Sequence, residues 1–235
     1  MAIFSKDSLE GKVILITGGL GAIGRVVVSR LLDHSARVAV NDVLDSEEAA
    51  RIIGEVGWPK GRIAYLKADV TSSDEAARVV AGAIEAFGRI DAALCHAGMV
   101  YSGPILECNE QDWDKVLSVN LKSAFLVAQA AARQMIDRRI KGKIIFTSSW
   151  VQDVPWPGIT PYNVTKSGMK MLMRGMAREW AAYGIRVNAI APGIVAAGMA
   201  KLQWDTEPDY RRRAEKAIPL GYLQPPETVA DALIF

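Results

Sequence analysis

Short apolar runs rich in β-branched residues alternate with longer stretches of helical periodicity along most of this chain. Such alternation is typical of strands that are covered by helices on both faces. Consecutive parallel strands need a connection across one face of the sheet, and the intervening helices can provide it. We predict strands at residues 13–17, 37–41, 63–68, 91–95, 143–147 and 186–189, and helices at residues 22–34, 46–56, 73–87, 111–138 and 161–183. The pattern predicts an α/β fold built on a doubly wound parallel sheet.

The composition is that of one folded domain. Half of the 235 residues are hydrophobic, and no linker, low-complexity tract or internal repeat breaks the alternation. We therefore expect a single three-layer, Rossmann-like domain over residues 1–235. The net charge is +2, and the short basic run Arg211-Arg212-Arg213 is flanked by Asp209 and Glu215, so we interpret it as a solvated helix face. Nothing in this charge pattern indicates nucleic-acid binding.

The cysteines and the apolar segments constrain the location of the protein. Cys95 and Cys108 show neither a paired-thiol motif nor metal-ligand spacing, so we predict reduced thiols and no metal site. Residues 1–12 lack the apolar stretch of a signal peptide, and no later segment approaches the roughly 20 apolar residues of a membrane span. We expect a cytoplasmic protein that does not enter the membrane.

A glycine-rich turn follows the first predicted strand directly. Residues 17–24 read Thr-Gly-Gly-Leu-Gly-Ala-Ile-Gly, and a predicted helix begins within them. Glycines let the backbone approach a pyrophosphate, whose charge is stabilised by the N–H groups and dipole of the helix N-terminus. We predict a dinucleotide site at this turn, with a purely structural turn as the alternative.

Asp42 stands at the end of the second predicted strand, 18 positions beyond Gly24. A carboxylate there accepts hydrogen bonds from the adenosine ribose hydroxyls and repels a 2′-phosphate. Val43 follows it, and the glycine turn holds no Arg or Lys before Gly24, so we predict NAD rather than NADP. The alternative role for Asp42 is an N-cap of the next helix, for which Asp45 and Ser46 also qualify.

In this turn the chain resembles the short-chain dehydrogenase/reductase family, whose motif is Thr-Gly, three residues, Gly, any residue, Gly. Gly18 and Gly24 match that motif, and Ala22 replaces its middle glycine. The resemblance implies that Asp69-Val70 contact the adenine, although Asp69 could instead cap the next helix. The family's Asn-Asn-Ala-Gly motif reads Cys95-His96-Ala97-Gly98 here. We expect a structural or cofactor-orienting role for His96 rather than direct catalysis.

The family's catalytic pattern is Tyr, three residues, Lys, with a Ser thirteen positions before the Tyr. Tyr162, Lys166 and Ser149 fit it, and this spacing selects Ser149 over its neighbour Ser148. Residues four apart share one face of a helix, so Tyr162 and Lys166 can point into the same cleft. The resemblance implies that Tyr162 exchanges the alcohol proton, Ser149 holds the substrate oxygen, Lys166 also binds the nicotinamide ribose, and Asn120 supports a water chain to Lys166.

The resemblance also defines the nicotinamide end of the site. Pro192-Gly193 matches a turn beside the nicotinamide, with Ile194 offering backbone contacts, whereas Ala197 replaces a Thr that commonly bonds the cofactor. We therefore expect NAD to contact Gly18, Leu20, Ile23, Gly24, Asp42, Asp69, Val70, Ala97, Gly98, Tyr162, Lys166, Pro192, Gly193 and Ile194.

Substrate and assembly are inferred less directly. Residues 196–216 correspond to the family's substrate lid, and Trp150 and Trp156 are expected in the same pocket, which suits an apolar, aromatic or sugar substrate.

Helices 111–138 and 161–183 resemble the family's subunit interface, so we expect a homo-oligomer, either a dimer or a tetramer. The family's usual final strand has no counterpart in the sequence.

The sequence thus predicts an NAD(H)-dependent oxidoreductase that interconverts a secondary alcohol, sugar or polyol and its carbonyl compound. Two alternatives stay open. One is a 3-ketoacyl-thioester reductase, and the other is a catalytically silent nucleotide-binding homologue.

Overall fold

The structure, a computed structural model, describes residues 5–234. Its strands are β1 (Val13–Thr17), β2 (Arg37–Asp42), β3 (Ile63–Lys67), β4 (Ala92–Cys95), β5 (Lys143–Thr147) and β6 (Arg186–Ile190). Its α-helices are α1 (Ala22–Asp33), α2 (Ser46–Val56), α3 (Ser73–Phe87), α4 (Glu110–Leu117), α5 (Ser123–Asp137), α6 (Thr160–Trp180), α7 (Gly198–Thr206), α8 (Pro208–Ala217) and α9 (Pro226–Ile234). Among these residues no helix is both long and apolar enough to cross a bilayer.

The described strands form one parallel sheet in the order β3-β2-β1-β4-β5-β6. The chain moves outward from β1 to β3 and then returns to the other side of β1 with β4. This reversal opens a crevice between the carboxyl ends of β1 and β4, where doubly wound folds bind their ligands. The predicted fold class is confirmed.

Helices cover both faces of the sheet and bury an apolar core on each. On one face α1, α2 and α9 pack over β1 and β2, with Val28 and Leu31 fully buried. On the other face α3, α5 and α6 pack over β4 and β5, with Phe146 and Met169 fully buried. Because both faces are covered, the strands are apolar nearly throughout, as in β1, whose five residues are all buried.

The structure corrects the prediction of one uninterrupted helix at residues 111–138. Between α4 and α5 the chain forms a π-helical turn at Ser118–Lys122, whose backbone hydrogen bonds span five residues instead of the four of an α-helix. The helices α7, α8 and α9 were not predicted. The α7 segment buries no side chain fully, so its sequence lacks the apolar stripe on which helix prediction depends.

Candidate active site

The glycine turn is shaped by close backbone approaches. Gly18 has φ +66°, and a Cβ there would lie 2.9 Å from the Cα of Ala97. A Cβ on Gly24 would lie 2.4 Å from the carbonyl oxygen of Gly18. Ala22, which replaces the family's middle glycine, is the first residue of α1, where helical backbone angles accept an alanine. The turn therefore keeps its shape despite this substitution.

Thr17 joins the two strand ends that border the crevice, a role the sequence did not reveal. Its Oγ1 accepts hydrogen bonds from the backbone N–H groups of His96 (3.0 Å) and Ala97 (3.1 Å). This places the altered motif after β4 directly beside the glycine turn after β1. The position of Thr17 as the last residue of β1 is the feature that could have suggested the contact.

Asp42 is held at the edge of the glycine turn. One of its carboxylate oxygens accepts the N–H of Leu20 (3.1 Å), and the other accepts the N–H of Val43 (2.8 Å). The N-cap of α2 is Asp45, which accepts the N–H of Glu48, so the cap alternative for Asp42 is wrong. Leu20 itself is 2% exposed and packs in the core, so its side chain does not reach the cleft.

Asp69 also has a local structural role. Its carboxylate accepts the N–H of Thr71 (3.0 Å), while Ser72 occupies the N-cap position of α3. Asp69 is therefore not the cap of that helix, and like Asp42 it faces a long cleft of about 730 Å³. The predicted cofactor residues that line this cleft are Gly18, Ile23, Asp42, Asp69, Val70, Ala97 and Gly98.

His96 lies in the same cleft and bonds to the last residue of β5. Its Nδ1 is 3.0 Å from the Oγ1 of Thr147. Both groups are largely buried, and which of the two atoms donates depends on the tautomer of the imidazole. Burial, together with the nearby Lys166, lowers the pKa of His96 to about 4. The imidazole is thus neutral at physiological pH.

The predicted catalytic residues meet at the carboxyl end of β5. Lys166 is 3% exposed, and its Nζ donates to the backbone carbonyl of Thr147 at 2.7 Å. The same Nζ lies 5.2 Å from the centre of the Tyr162 ring. Burial lowers the pKa of Lys166 to about 8. Burial raises the pKa of Tyr162, and a hydrogen bond from Ser149 opposes that rise.

The two neighbouring serines have different partners. The Oγ of Ser148 donates to the side chain of Gln152 (2.7 Å) and lies 3.3 Å from the carbonyl oxygen of Lys166. Ser149 contacts the Tyr162 hydroxyl, and its Oγ accepts the N–H of Val151 at 3.5 Å. Ser148 therefore braces the loop after β5, and Ser149 is the serine that faces the tyrosine. This is the geometry that the thirteen-residue spacing predicts.

Asn120 lies in the π-helical turn and is completely buried. Its side chain accepts the N–H of Met99 (2.8 Å) and donates to the carbonyl of Met99 (2.9 Å) and to Thr165 (3.2 Å). These bonds fasten the loop after β4 to α6, the helix that carries Tyr162 and Lys166. The contacts explain why an amide is buried within a helical segment.

The predicted nicotinamide turn is fixed by Gln224, which the sequence did not single out. The N–H of Gly193 donates to the Gln224 side chain (3.0 Å), and the backbone N–H of Gln224 donates to the carbonyl of Ile194 (2.8 Å). The carbonyl of Pro192 accepts the N–H of Trp150 at 3.0 Å, which joins this turn to the loop after Ser149. Ala197 is the N-cap residue of α7 and offers no side-chain hydrogen bond.

A second cavity, of about 260 Å³, opens next to Ser149 and Tyr162. Aromatic side chains from the loop after β5 and from α8 form one wall. Trp156 packs edge-on against Trp150 and Tyr210, with ring centres 5.7 and 6.2 Å away. The predicted nicotinamide residues Pro192, Gly193 and Ile194 also line this cavity. The cavity therefore lies where a substrate would contact both the catalytic side chains and a bound nicotinamide.

These observations meet the requirements of a dinucleotide-dependent oxidoreductase. Gly18 and Gly24 allow the turn to pack closely at the N-terminus of α1, where N–H groups and the helix dipole favour a pyrophosphate, and the Asp42 carboxylate lies beside this turn. The donor groups around the cleft fit a nicotinamide dinucleotide. Within residues 5–234 no set of three His, Cys, Asp or Glu side chains is arranged to hold a metal ion.

Comparison with known proteins agrees with this class. The sequence profile described as short chain dehydrogenase matches residues 12–208. The chain is 32% identical over 226 residues to 3beta-hydroxysteroid dehydrogenase 1 of Eggerthella lenta, covering 96% of this chain and 86% of that protein. It is 36% identical over 243 residues to human (3R)-3-hydroxyacyl-CoA dehydrogenase, covering 100% of this chain and 92% of that protein. The chain belongs to the short-chain dehydrogenase family.

Solved structures show the same fold. The crystal structure of 3-ketoacyl-(acyl-carrier-protein) reductase from Brucella melitensis, complexed with NADH, superposes with a TM-score of 0.85 at 25% identity. The match covers 96% of this chain and 90% of that one. The fold predicted from the sequence is thus shared with an enzyme of known structure.

Proposed function

We propose that this protein is an NAD(H)-dependent oxidoreductase that interconverts a secondary alcohol, sugar or polyol and its carbonyl compound. The observation that carries the proposal is the contact of Ser149, Tyr162 and Lys166 at the junction of the dinucleotide cleft and the smaller cavity. Nicotinamide dinucleotide, when bound, supplies or accepts the hydride. The protein must then hold the substrate oxygen and move its proton.

Tyr162 is the proton-transfer group in this proposal. Its burial raises the pKa of the phenol, so the free side chain is protonated at neutral pH. A general base needs that pKa lowered toward the working pH, and a shift of about 3 units corresponds to roughly 4 kcal/mol. The Lys166 ammonium near the ring and the hydrogen bond from Ser149 both favour the phenolate. When substrate is bound, the single Ser149 proton is donated to the substrate oxygen instead, as charge develops on it.

The proposed cofactor preference rests on Asp42. Its carboxylate oxygens accept one backbone N–H each and retain lone pairs for the ribose hydroxyls. A 2′-phosphate at this place would meet the carboxylate charge, and Val43 offers no cation to offset it. These contacts support NAD over NADP.

A 3-ketoacyl-thioester reductase is the second candidate. It is favoured by the similarity to human (3R)-3-hydroxyacyl-CoA dehydrogenase and to the Brucella reductase. The similarity to a hydroxysteroid dehydrogenase favours a larger apolar alcohol instead. All three names describe exchange between a hydroxyl and a carbonyl group, and the aromatic wall of the cavity accommodates an apolar substrate portion.

We also propose a cytoplasmic homo-oligomer. A groove of about 370 Å³ runs between α5 and α6, with Phe125, Leu172 and Trp180 among its lining residues. Met171 on α6 is 64% exposed. An apolar face made by two long helices suits pairing with a second copy of the chain. The free thiols of Cys95 and Cys108 support a reducing compartment.

Hydride transfer tests the proposed function. The change at 340 nm would be followed with NADH or NAD⁺ and a panel of ketones, 3-oxoacyl thioesters, sugars and polyols. We expect Tyr162→Phe to lower kcat by about 10²- to 10⁴-fold while NADH binding persists, because the general acid is lost and the ring remains. The exposed Tyr183 provides the control, and Tyr183→Phe should be fully active. Cofactor binding without turnover across the panel would indicate a catalytically silent protein instead.

A further inference from the structure

The three consecutive arginines of α8 do not share one environment. Arg211 pairs with Glu215 (2.9 Å), and Arg212 pairs with Asp209. Arg213 has no carboxylate partner among residues 5–234, and its guanidinium carbon lies 5.6 Å from the centre of the Trp156 ring. All three side chains are exposed, and Arg211 also lies near an aromatic ring, 5.3 Å from the centre of Trp204. Arg213 differs from the other two in having no carboxylate partner among the described residues and in lying beside Trp156.

Arg213 stands beside the wall of the substrate cavity. It follows Tyr210 by three residues on α8, which places both side chains on one side of that helix. Trp156 and Tyr210 both line the 260 Å³ cavity together with Ser149 and Tyr162. The backbone carbonyl of Trp156 accepts the side-chain N–H of Asn163 (2.9 Å), the residue after Tyr162. The wall that carries Arg213 is therefore anchored to the catalytic helix.

Apart from Arg213 beside its wall, the cavity has no charged side chain in its lining that would attract or repel an anion. Every residue that lines the cavity is uncharged. Arg213 is exposed, and a guanidinium stacked on an aromatic ring keeps its in-plane N–H groups free for an anionic oxygen. Glu207, one turn before Tyr210, makes no ion pair with Arg213. Among the residues that the structure describes, the site thus combines an uncharged lining with an exposed arginine, unpaired with any carboxylate, beside Trp156 of its wall.

On the basis of the proposed function, we infer that the substrate carries an anionic group, a carboxylate or a phosphate, at the end remote from the reacting carbon, and that Arg213 binds this group. The reacting hydroxyl or carbonyl lies against Ser149 and Tyr162, and the uncharged portion crosses the aromatic wall. Oxo acids, sugar acids and acyl groups on a phosphorylated carrier belong to this class. Simple neutral ketones and unmodified sugars lack the group that Arg213 recognises.

Matched pairs of acids and esters test this inference. The probes are acetoacetate, 4-oxopentanoate, 5-oxohexanoate and 7-oxooctanoate, each compared with its methyl ester, and acetoacetyl-CoA provides the phosphate-bearing arm. Turnover would be measured with NADH, and binding through quenching of tryptophan fluorescence in the presence of NAD⁺, because Trp150 and Trp156 line the cavity. The uncharged counterpart of the thioester is S-methyl thioacetoacetate. We expect at least one acid, or the thioester, to have a KM about tenfold lower than that of its uncharged counterpart. A tenfold difference corresponds to about 1.4 kcal/mol.

The arginine variants separate recognition from structural support. Arg213→Gln should raise the KM of the preferred anionic substrate about tenfold, with kcat and the KM of the uncharged partner unchanged. Arg212→Gln, which removes an exposed arginine from the same helix, should change neither KM. Equal effects of Arg213→Gln on charged and uncharged partners would assign Arg213 to bracing the lid and overturn the inference. The inference would also be overturned if the esters bound as well as the acids, or if no anionic probe bound.

The binding readout keeps this inference apart from the proposed function. Preferential quenching by acids without any hydride transfer would contradict the proposed enzyme activity and leave the anion site in place. Turnover of neutral ketones without any preference for charge would support the enzyme and remove the anion site.

Discussion

Lys166 reaches from the catalytic helix to the end of β5, where its Nζ donates to the carbonyl of Thr147 at 2.7 Å. The hydroxyl of the same threonine bonds His96 at 3.0 Å. Thr147 therefore positions two nitrogen-bearing side chains of the cleft at once. Only one of them is charged near neutral pH, because the pKa of His96 is lowered to about 4 and that of Lys166 to about 8.

The lowered pKa of Lys166 predicts a pH-dependent stability. The pKa falls from 10.5 in the unfolded chain to about 8 in the folded protein, so the unfolded chain binds more protons between these values. The free energy of unfolding should therefore rise with pH across that window. We expect the stability difference between wild type and Lys166→Met to shift in favour of the wild type between pH 8 and 10.5, on the order of 1 to 3 kcal/mol. Urea denaturation at several pH values measures it, and a constant difference would contradict the buried ammonium.

Gly24 should tolerate no side chain. A Cβ would lie 2.4 Å from the backbone carbonyl of Gly18, so Gly24→Ala must displace the glycine turn. We expect a loss of about 1 to 3 kcal/mol in stability and a strong loss of NADH affinity. Gly54→Ala on α2 is the matched control, because its Cβ meets nothing within 4 Å and should stabilise the helix by about 0.5 to 1 kcal/mol. Thermal unfolding and NADH titration would show whether the two alanines differ in this way.

Asp42 should determine the choice between NADH and NADPH. Asp42→Asn removes the negative charge at the ribose position, so the ratio of kcat/KM for NADPH over NADH should increase at least tenfold, about 1.4 kcal/mol. Asp45→Asn removes a charge three residues away and keeps an effective N-cap for α2, so it should leave the ratio unchanged. A wild-type preference for NADPH would refute the role proposed for Asp42.

Ala197 offers a gain of function. It is the N-cap residue of α7, has extended backbone angles and lines both the dinucleotide cleft and the substrate cavity. A threonine there can cap α7, an effect of about 1 kcal/mol, and can donate to the cofactor. We expect Ala197→Thr to lower the Kd for NADH severalfold and to slow proteolysis within α7. Ala197→Val adds similar volume without the hydroxyl, and equal effects from both variants would exclude a hydrogen bond.

Several features followed from sequence because they depend on local chemistry. Strand β1, the glycine turn and the helix after it are adjacent in the chain, so their order already predicts a phosphate site. The spacing from Ser149 to Tyr162 predicts which serine meets the tyrosine. The first argument needs only the ordinary geometry of strands and helices, and the second rests on the resemblance to the family's catalytic pattern.

Other features depend on contacts between distant segments. The hydrogen bonds of Thr17 and Thr147 to the segment after β4 arise because β4 lies between β1 and β5 in the sheet. Gln224 reaches the Gly193 turn across 31 residues. The contact of Arg213 with Trp156 joins residues 57 positions apart in the sequence. Sequence periodicity contains no information on such partners.

The π-helical turn around Asn120 also affects how this chain can change. An added residue rotates everything downstream by about 100° relative to a regular helix. Deleting one residue from Ser118–Lys122 would restore α-helical bonding, but it would turn either the asparagine or the packed alanines of α5 out of place. A segment with regular α-helical bonding could therefore not keep both Asn120 and the buried alanines of α5 in their present positions. We expect insertions and deletions to be excluded here, whereas point substitutions at exposed positions of the helix are tolerated.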